Sequence, residues 1–190
     1  MPEKTHHLVV YPGSFDPMTL GHLDVVSRGR QLFDEIVVAV GFNPGKSQLF
    51  TPDERVEIAQ LCINEMCAST PGAPVRVCAY RGLTVDFARS VGANAILKGV
   101  RNLSDLQNEV QQALTNRQVA GLETAFVVSG QSFAYTSSSL IKQITALGED
   151  LSVLQTMVPN LVLDRLRAKK AEHHPLIEAI RASARGEEQD

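Results

Sequence analysis

The 190-residue sequence contains no tryptophan, and only 5% of its residues are aromatic. Its three cysteines, Cys62, Cys67 and Cys78, are odd in number and form no C-x-x-C pair. This pattern argues against both a disulfide framework and a cysteine metal site. No apolar run approaches the roughly 18 residues of a membrane span, and the polar residues 1–7 lack the apolar core of a signal peptide. We therefore expect a cytoplasmic protein that does not contact membranes.

An excess of basic charge is also missing. The formal net charge is -3 and the sequence pI is about 6.0, so the chain generates no global positive field for nucleic acid. Hydrophobic residues make up 44% of the chain and charged residues 21%, which is ordinary globular composition. We expect one domain over residues 1–170. Residues 171–190 form a polar C-terminal extension whose composition allows flexibility, with one amphipathic turn over residues 176–180.

Short apolar runs alternate with stretches of helical periodicity along the chain. This order predicts an α/β fold with a Rossmann-like, open, parallel five-stranded sheet flanked by helices, and with closing C-terminal helices. The predicted strands are residues 8–10, 36–40, 75–79, 95–97 and 125–128. The predicted helices are residues 20–33, 51–66, 84–92, 104–119, 137–148, 151–157 and 160–170, where Thr51, Thr84, Ser104 and Ser137 are the expected caps.

The most informative segment, residues 11–22, lies between the first strand and the first helix. In an open parallel sheet this turn is at the carboxyl end of a strand, where ligands bind. The following helix offers free N–H groups and a positive dipole end to an anion. Gly13 permits close ligand approach, Ser14 offers a hydroxyl and His22 an imidazole donor, whereas Asp16 more simply fixes the turn. The segment lacks the G-x-G-x-x-G fingerprint of dinucleotide sites.

Two further signals follow other predicted strands. Three serines, Ser137 to Ser139, open a helix and can present hydroxyl and N–H groups to a phosphate, although the segment taken alone favours a simple helix cap. Lys46, Lys98 and Arg101 lie in loops after the second and fourth strands. Parallel strands place such loops at one edge of the sheet, so these cations can converge with His22.

These motifs resemble a known family. Thr19-Leu20-Gly21-His22 resembles the T/H-x-G-H signature of the HIGH-type nucleotidyltransferases, and Thr136 to Lys142 resembles their I-S-S-S/T-x-x-R/K signature. The longer string Tyr-Pro-Gly-Ser-Phe-Asp-Pro, residues 11–17, is similar to that of the bacterial phosphopantetheine adenylyltransferase family. The resemblance extends from about Val9 to Arg167, most of the chain.

The resemblance implies roles for particular residues. It implies that ATP contacts Ser14, Phe15, His22, Gly99, Val100, Arg101, Glu109, Phe133, Ala134, Tyr135, Thr136, Ser137, Ser138 and Ser139. It implies that the acceptor, 4′-phosphopantetheine, contacts Ser14, Lys46, Thr84, Lys98 and Asn116. His22, Lys46 and Arg101 are the implied catalytic donors. No residue is implied as a ligand of a protein-held metal, because Mg²⁺ is expected to be carried mainly by the ATP phosphates.

Two features depart from the family pattern. Lys98 stands where the family often has arginine, which keeps the charge but loses the planar fork of donors. Leu106-Gln107-Asn108-Glu109 replaces a more aromatic Phe-Glu-Tyr-Glu string, so the adenine contacts in this segment differ from the family pattern. The implied partners are ATP, 4′-phosphopantetheine, coenzyme A as a feedback ligand and further copies of the chain in a homohexamer.

Two alternatives remain open at this point. The chain can be another member of the superfamily, such as a nicotinamide-mononucleotide adenylyltransferase or a glycerol-3-phosphate cytidylyltransferase. It can also be a nucleotide-binding module without activity, although such a module would be expected to lose His22 or Lys46. Thr19 replaces the first histidine of the signature. Together with Lys46, Lys98 and Arg101, it favours the hypothesis of a phosphopantetheine adenylyltransferase.

Overall fold

The computed structural model describes residues 6–42, 45 and 47–186. Its five strands form one parallel sheet in the spatial order β3-β2-β1-β4-β5. The strands are β1 (Leu8–Gly13), β2 (Glu35–Gly41), β3 (Val75–Tyr80), β4 (Ala95–Val100) and β5 (Glu123–Val128). The helices are α1 (Leu20–Gly29), α2 (Pro52–Ser69), α3 (Thr84–Ser90), α4 (Leu103–Ala120), α5 (Ser138–Leu147), α6 (Asn160–Ala171) and α7 (Pro175–Gly186). The predicted α/β fold class is confirmed.

The central strands are apolar along their whole length because helices cover both faces of the sheet. Val38 of β2 belongs to the larger core, which α1, α2, α5, α6 and α7 complete on one side. Val37 belongs to the smaller core on the other side, where Val85 of α3 and Ala120 of α4 pack. Successive strand residues point to opposite faces, so a continuous run such as 36–40 serves both cores.

The strand order reverses direction at β1. From β1 the chain proceeds outward to β2 and β3, and then returns to β4, which pairs with the other side of β1 through Val9–Ala95 and Val10–Ile96. Connections from the two strands therefore leave in opposite directions. Such a switch point opens a crevice at the carboxyl ends of the two strands, and it is the usual ligand site of open α/β sheets.

Element boundaries differ from the predictions in several places. Lys98 and Gly99 lie inside β4 rather than after it, because the strand continues to pair with β5 as far as Val100. Helix α4 begins one residue earlier than predicted, and its cap is Asn102, whose side chain accepts the Asp105 N–H at 2.8 Å. Ser104 is therefore not the cap.

The predicted caps of the other helices had mixed outcomes. Ser137 caps α5 and Gly148 ends it, as predicted. Thr84 is instead the first helical residue of α3, and its hydroxyl bonds the Tyr80 hydroxyl at 2.8 Å. The predicted closing helix over residues 151–157 is a short 3-10 turn, Ser152–Thr156.

The C-terminal segment forms more than the single amphipathic turn that its sequence indicated. Helix α7 runs for 12 residues, buries Ile177 completely and packs against α5. Its Arg181 donates to the Ala146 carbonyl at 2.8 Å. The segment is mostly polar in composition, so its sequence gives little indication of the short apolar stripe of α7 that makes this contact. None of the described helices is long and apolar enough to cross a lipid bilayer.

Candidate active site

Two cavities lie side by side at the switch point. The first, about 300 Å³, is lined by Tyr11, Pro12, Gly13, Thr19, Gly21, His22, Val25, Lys98, Gly99, Arg101, Glu109, Ser129, Thr136, Ser137 and Ser138. The second, about 570 Å³, is lined by Pro12, Gly13, Ser14, Gly41, Phe42, Tyr80, Gly82, Thr84, Ile96, Lys98, Gln112 and Asn116. Pro12, Gly13 and Lys98 belong to both linings. The arrangement provides two binding spaces that meet at the end of β1.

Thr19 and His22 cap the start of α1 reciprocally. The Thr19 hydroxyl accepts the His22 N–H at 3.2 Å, and the His22 Nδ1 accepts the Thr19 N–H at 3.0 Å. A backbone N–H can only donate, so Nδ1 must be unprotonated and the neutral ring carries its proton on Nε2. The capping box therefore fixes both the orientation and the tautomer of this imidazole.

The electrostatic surroundings keep His22 neutral. Burial, and to a smaller extent the nearby Arg101 guanidinium, together lower the pKa of His22 to about 4. At neutral pH the ring is therefore an uncharged donor through Nε2–H. Its ring also packs edge-on against Phe15, with centroids 5.0 Å apart. Phe15 is itself buried, so this ring contact restricts the position of the imidazole.

The start of α5 forms the opposite wall of the first cavity. The Ser137 hydroxyl accepts the Leu140 N–H at 3.1 Å, and the Ser138 hydroxyl donates to the Pro17 carbonyl at 3.0 Å. The first of these contacts is the simple cap that the sequence allowed. Because the first N–H groups of a helix have no intrahelical partner, α5 still offers backbone donors and its dipole to an anion in the cavity.

Arg101 links the end of β4 to this wall. It forms a two-pronged ion pair with Asp105, at 2.7 and 3.1 Å, and donates to the Thr136 carbonyl at 2.6 Å. These contacts use three of the five guanidinium N–H donors, which leaves two for a ligand. Because Arg101 bonds both Asp105 and Thr136, it also holds the segment before α5 against the start of α4.

Lys98 stands at the boundary between the cavities. Its Nζ lies 2.9 Å from the Glu109 carboxylate and 3.5 Å from the Gln112 side-chain oxygen. About one fifth of each side chain in the ion pair is exposed. Gly99 next to it is required by close packing, since a Cβ there would lie 2.5 Å from Val25 of α1.

A buried polar frame lies behind the first cavity. The Asp16 carboxylate accepts the Leu49 and Phe50 N–H groups at 3.0 and 2.9 Å and the Lys142 ammonium at 3.1 Å. Asp16 therefore fixes the turn, as expected, but through distant segments rather than its own backbone. Fully buried Arg55 donates to the Ser14 and Gly41 carbonyls, which ties the turn after β1 to the end of β2.

The structure brings together much of the predicted site. The first cavity contains seven predicted nucleotide contacts, His22, Gly99, Arg101, Glu109, Thr136, Ser137 and Ser138. The second contains four predicted acceptor contacts, Ser14, Thr84, Lys98 and Asn116. Six predicted nucleotide contacts lie outside both linings, namely Phe15, Val100, Phe133, Ala134, Tyr135 and Ser139. Lys46 lies outside the residues that the structure describes.

Thr19, Gln112 and Tyr80 also line the cavities but were not predicted as site residues. A capping-box reading of Thr19-x-x-His22 could have identified the first, because histidine takes the place of the usual glutamate. Nothing in the sequence marks the other two, since they converge only through the fold. Within the described residues, no three histidine, cysteine, aspartate or glutamate side chains converge as metal ligands would.

Comparisons with known proteins agree with this geometry. The family model of cytidylyltransferase-like proteins matches residues 10–144. The structure resembles a putative nicotinate-nucleotide adenylyltransferase from Vibrio parahaemolyticus, with a TM-score of 0.58, 15% identity and coverage of 87% of this chain and 94% of the other. A bifunctional NMN adenylyltransferase/ADP ribose pyrophosphatase from Francisella tularensis gives a TM-score of 0.61 at 13% identity, covering 95% of this chain and 57% of the other. These likenesses show the fold.

Sequence relatives narrow the family. The phosphopantetheine adenylyltransferase of Rhodopirellula baltica is 44% identical over 168 residues, which cover 88% of this chain and 90% of that protein. The phosphopantetheine adenylyltransferase of Frankia alni is 47% identical over 165 residues, or 86% and 98% of the two chains. On the family model and on these relatives, the chain belongs to the cytidylyltransferase-like family and, within it, to the phosphopantetheine adenylyltransferases.

Proposed function

We propose that the protein transfers the adenylyl group of ATP to 4′-phosphopantetheine, giving dephospho-coenzyme A and pyrophosphate in coenzyme A biosynthesis. The observation that carries the proposal is the contact between the two cavities at Pro12, Gly13 and Lys98. A transfer reaction needs two ligands whose reacting atoms meet, and this boundary provides that meeting point. The names of the relatives supply the identity of the acceptor.

The chemistry requires no nucleophile from the protein. The acceptor phosphate has a second pKa of about 6 and is already ionised near neutral pH. One of its oxygens attacks the α-phosphorus of ATP in line, the bond to the β-phosphate oxygen breaks, and pyrophosphate leaves with its electron pair. The protein has to align two polyanions and to stabilise the charge that develops on the α-phosphate.

We assign separate tasks to the residues of the first cavity. His22 donates its Nε2–H to an α-phosphate oxygen, since its Nδ1 is occupied by Thr19. The free N–H groups at the start of α5 bind the β- and γ-phosphates. Arg101 directs its remaining donors to the same anion. Mg²⁺ would enter on the ATP phosphates and reduce their charge, because the described carboxylates at this edge are engaged by lysine or arginine.

We assign acceptor binding to the second cavity. Thr84 and Asn116 are suited to the amide groups of the pantetheine arm, and Lys98 lies where its phosphate would approach the nucleotide. Lys46 joins this set by family resemblance alone. We further propose that coenzyme A competes for the same cavity as a feedback ligand, that the enzyme is a homohexamer, and that it is cytoplasmic, as its free cysteines suggest.

A substrate panel tests the proposed function. Pyrophosphate release is measured with ATP or CTP against 4′-phosphopantetheine, nicotinamide mononucleotide and glycerol 3-phosphate. We expect turnover only with ATP and 4′-phosphopantetheine. His22→Ala should reduce that turnover by roughly 100- to 1,000-fold, the usual loss for one preorganised donor, with an unchanged circular dichroism spectrum. Release with another acceptor, or none with any, would refute the assignment.

A further inference from the structure

One basic side chain at the carboxyl edge of the sheet has no role in the reaction described above. Arg81 directly follows β3, so it emerges at the same edge as the turn after β1 and the end of β4. Its guanidinium carbon lies 4.6 Å from the centroid of the Phe42 ring. Phe42 lines the second cavity, and so does Gly82, the residue after Arg81. Arg81 is therefore at the rim of that cavity.

The other described cations around the cavities are already engaged. Lys98 pairs with Glu109, Arg101 with Asp105 and Lys142 with Asp16. Across residues 6–42, 45 and 47–186, no carboxylate lies within ion-pairing distance of Arg81, and its side chain is exposed. Among these described residues none accepts a hydrogen bond from its guanidinium, whose N–H donors can therefore bind a ligand.

The stacking on Phe42 orients this free cation. An aromatic face attracts a guanidinium through its quadrupole, and this attraction holds the Arg81 side chain over the Phe42 ring. The edges of the guanidinium, which carry the N–H groups, are left open, so the fork can still bind a phosphate with two parallel hydrogen bonds. A flexible surface arginine would lose more conformational freedom on forming the same contact.

We propose that Arg81 is an entry-side phosphate-binding residue that captures the acceptor phosphate at the rim of the second cavity before Lys98 receives it. The inference rests on the proposed function, since it takes the second cavity to be the acceptor cavity. The reason for a capture step is electrostatic: Lys98 is neutralised by Glu109 in the free protein, so it attracts an incoming anion weakly. An unpaired cation at the rim supplies the missing attraction.

The variants are Arg81→Gln, which removes the charge at similar length, and Arg81→Lys, which keeps the charge but loses the planar fork. The matched control is Arg76→Gln, because Arg76 is an exposed arginine near the start of β3, at the opposite end of the strand from Arg81, and is paired with Glu35. Phe42→Leu removes the stacking surface and keeps an apolar side chain in the cavity lining. Initial rates are measured with 4′-phosphopantetheine at low and at high salt.

We expect Arg81→Gln to lower kcat/KM for 4′-phosphopantetheine by about three- to tenfold at low salt. This loss is smaller than for a buried charged contact, because water weakens an exposed one. The kcat and the KM for ATP should not change. The difference from the wild type should shrink at high salt, because exposed charges are then screened within a few ångströms. Arg81→Lys and Phe42→Leu should be intermediate, and Arg76→Gln should equal the wild type.

Inhibition by pantetheine, which lacks the phosphate, identifies the group that Arg81 recognises. Its inhibition constant should be the same for the wild type and Arg81→Gln. A weaker inhibition in the variant would move the contact to the pantetheine arm and overturn the proposal. So would an Arg81→Gln enzyme equal to the wild type, or an equal loss for ATP. A wild-type enzyme that ignores 4′-phosphopantetheine would instead refute the proposed function, and this inference with it.

Discussion

At the scale of single residues, the site depends on how each polar group is already bonded before any substrate arrives. The His22 imidazole is neutral with its proton on Nε2, because Thr19 occupies Nδ1 and because burial and Arg101 oppose a second proton. Lys98 and Arg101 are positively charged but paired with carboxylates. The free protein therefore keeps its donors in fixed positions while limiting the repulsion among its cations.

The lowered pKa of His22 makes stability depend on pH in a defined direction. The unfolded chain takes up a proton near pH 6.5, whereas the folded protein resists it until about pH 4. The unfolded state thus binds more protons in this interval, and the free energy of unfolding should decrease as the pH falls from 6.5 to 4. Urea unfolding across this range should show a steeper decrease for the wild type than for His22→Asn, which keeps an acceptor near Nδ1. Equal slopes would contradict this assignment.

Lys98 allows a second prediction at this scale. Lys98→Arg should retain most activity, since the charge is preserved at a site where the family tolerates arginine. Lys98→Met should raise the KM for 4′-phosphopantetheine and lower kcat, because the Glu109 carboxylate then faces the incoming phosphate without a counter-charge. Steady-state kinetics on both variants provide the measurement.

The double variant Lys98→Met/Glu109→Gln separates two roles of this lysine. If Lys98 only neutralises Glu109, removing both charges should restore the KM of the wild type. If Lys98 binds the phosphate itself, the KM should stay high. Wild-type kinetics in Lys98→Met alone would show that neither role matters.

At the scale of elements, α5 connects the site to the C-terminal part of the chain. Its first turn faces the first cavity, whereas its last turn contains no basic residue of its own. Arg181 of α7 and Lys170 of α6 instead donate to the carbonyls of Ala146 and Gly148. Cations at this end satisfy carbonyls that have no intrahelical partner and complement the helix dipole. The closing helices thus stabilise the element whose other end would bind phosphate.

Helix α7 should therefore contribute measurably to stability. Ile177 is fully buried in the larger core, so Ile177→Ala should lower the free energy of unfolding by about 2–5 kcal/mol. Arg185→Ala, near the exposed end of the same helix, is the matched control and should stay within about 0.5 kcal/mol of the wild type. Chemical denaturation monitored by circular dichroism measures both. Equal stabilities would mean that α7 is dispensable to the core.

At the scale of the whole molecule, one face of α4 lacks a partner within the described chain. Leu103, Val110 and Leu114 are spaced seven and four residues apart, so they form one stripe, and their exposed fractions are 79%, 38% and 54%. Val128 at the end of the edge strand β5 is 69% exposed. A row of exposed apolar side chains near an open sheet edge is typical of a surface that another chain covers.

We therefore expect a homo-oligomer, and a hexamer on the family resemblance. Light scattering at micromolar protein should give a multiple of the 20.7 kDa chain mass. Leu114→Glu introduces a charge into the stripe and should lower that mass, whereas Thr115→Glu, the neighbouring exposed position outside the stripe, should not. A monodisperse, active monomer of the wild type would refute the expectation.

The amino-acid sequence by itself determined the alternation of five strands with helices along the chain, the parallel α/β class and the position of the first nucleotide motif. Apolar runs such as residues 36–40 require cover on both faces, and only crossover helices on both sides of a parallel sheet supply it. The motif around His22 and the serines before α5 could be identified because turn and cap chemistry is local. Local chemistry depends on a few neighbouring residues that the sequence shows directly.

Only the tertiary structure decided which of these groups meet and in what state. The Lys98–Glu109 and Asp16–Lys142 pairs join residues 11 and 126 positions apart, and the stacking of Arg81 on Phe42 joins two strand ends. The neutral state of His22 depends on burial and on Arg101, neither of which has a signature near residue 22. Long-range pairing and desolvation are properties of the packed chain, because they depend on distances that folding creates.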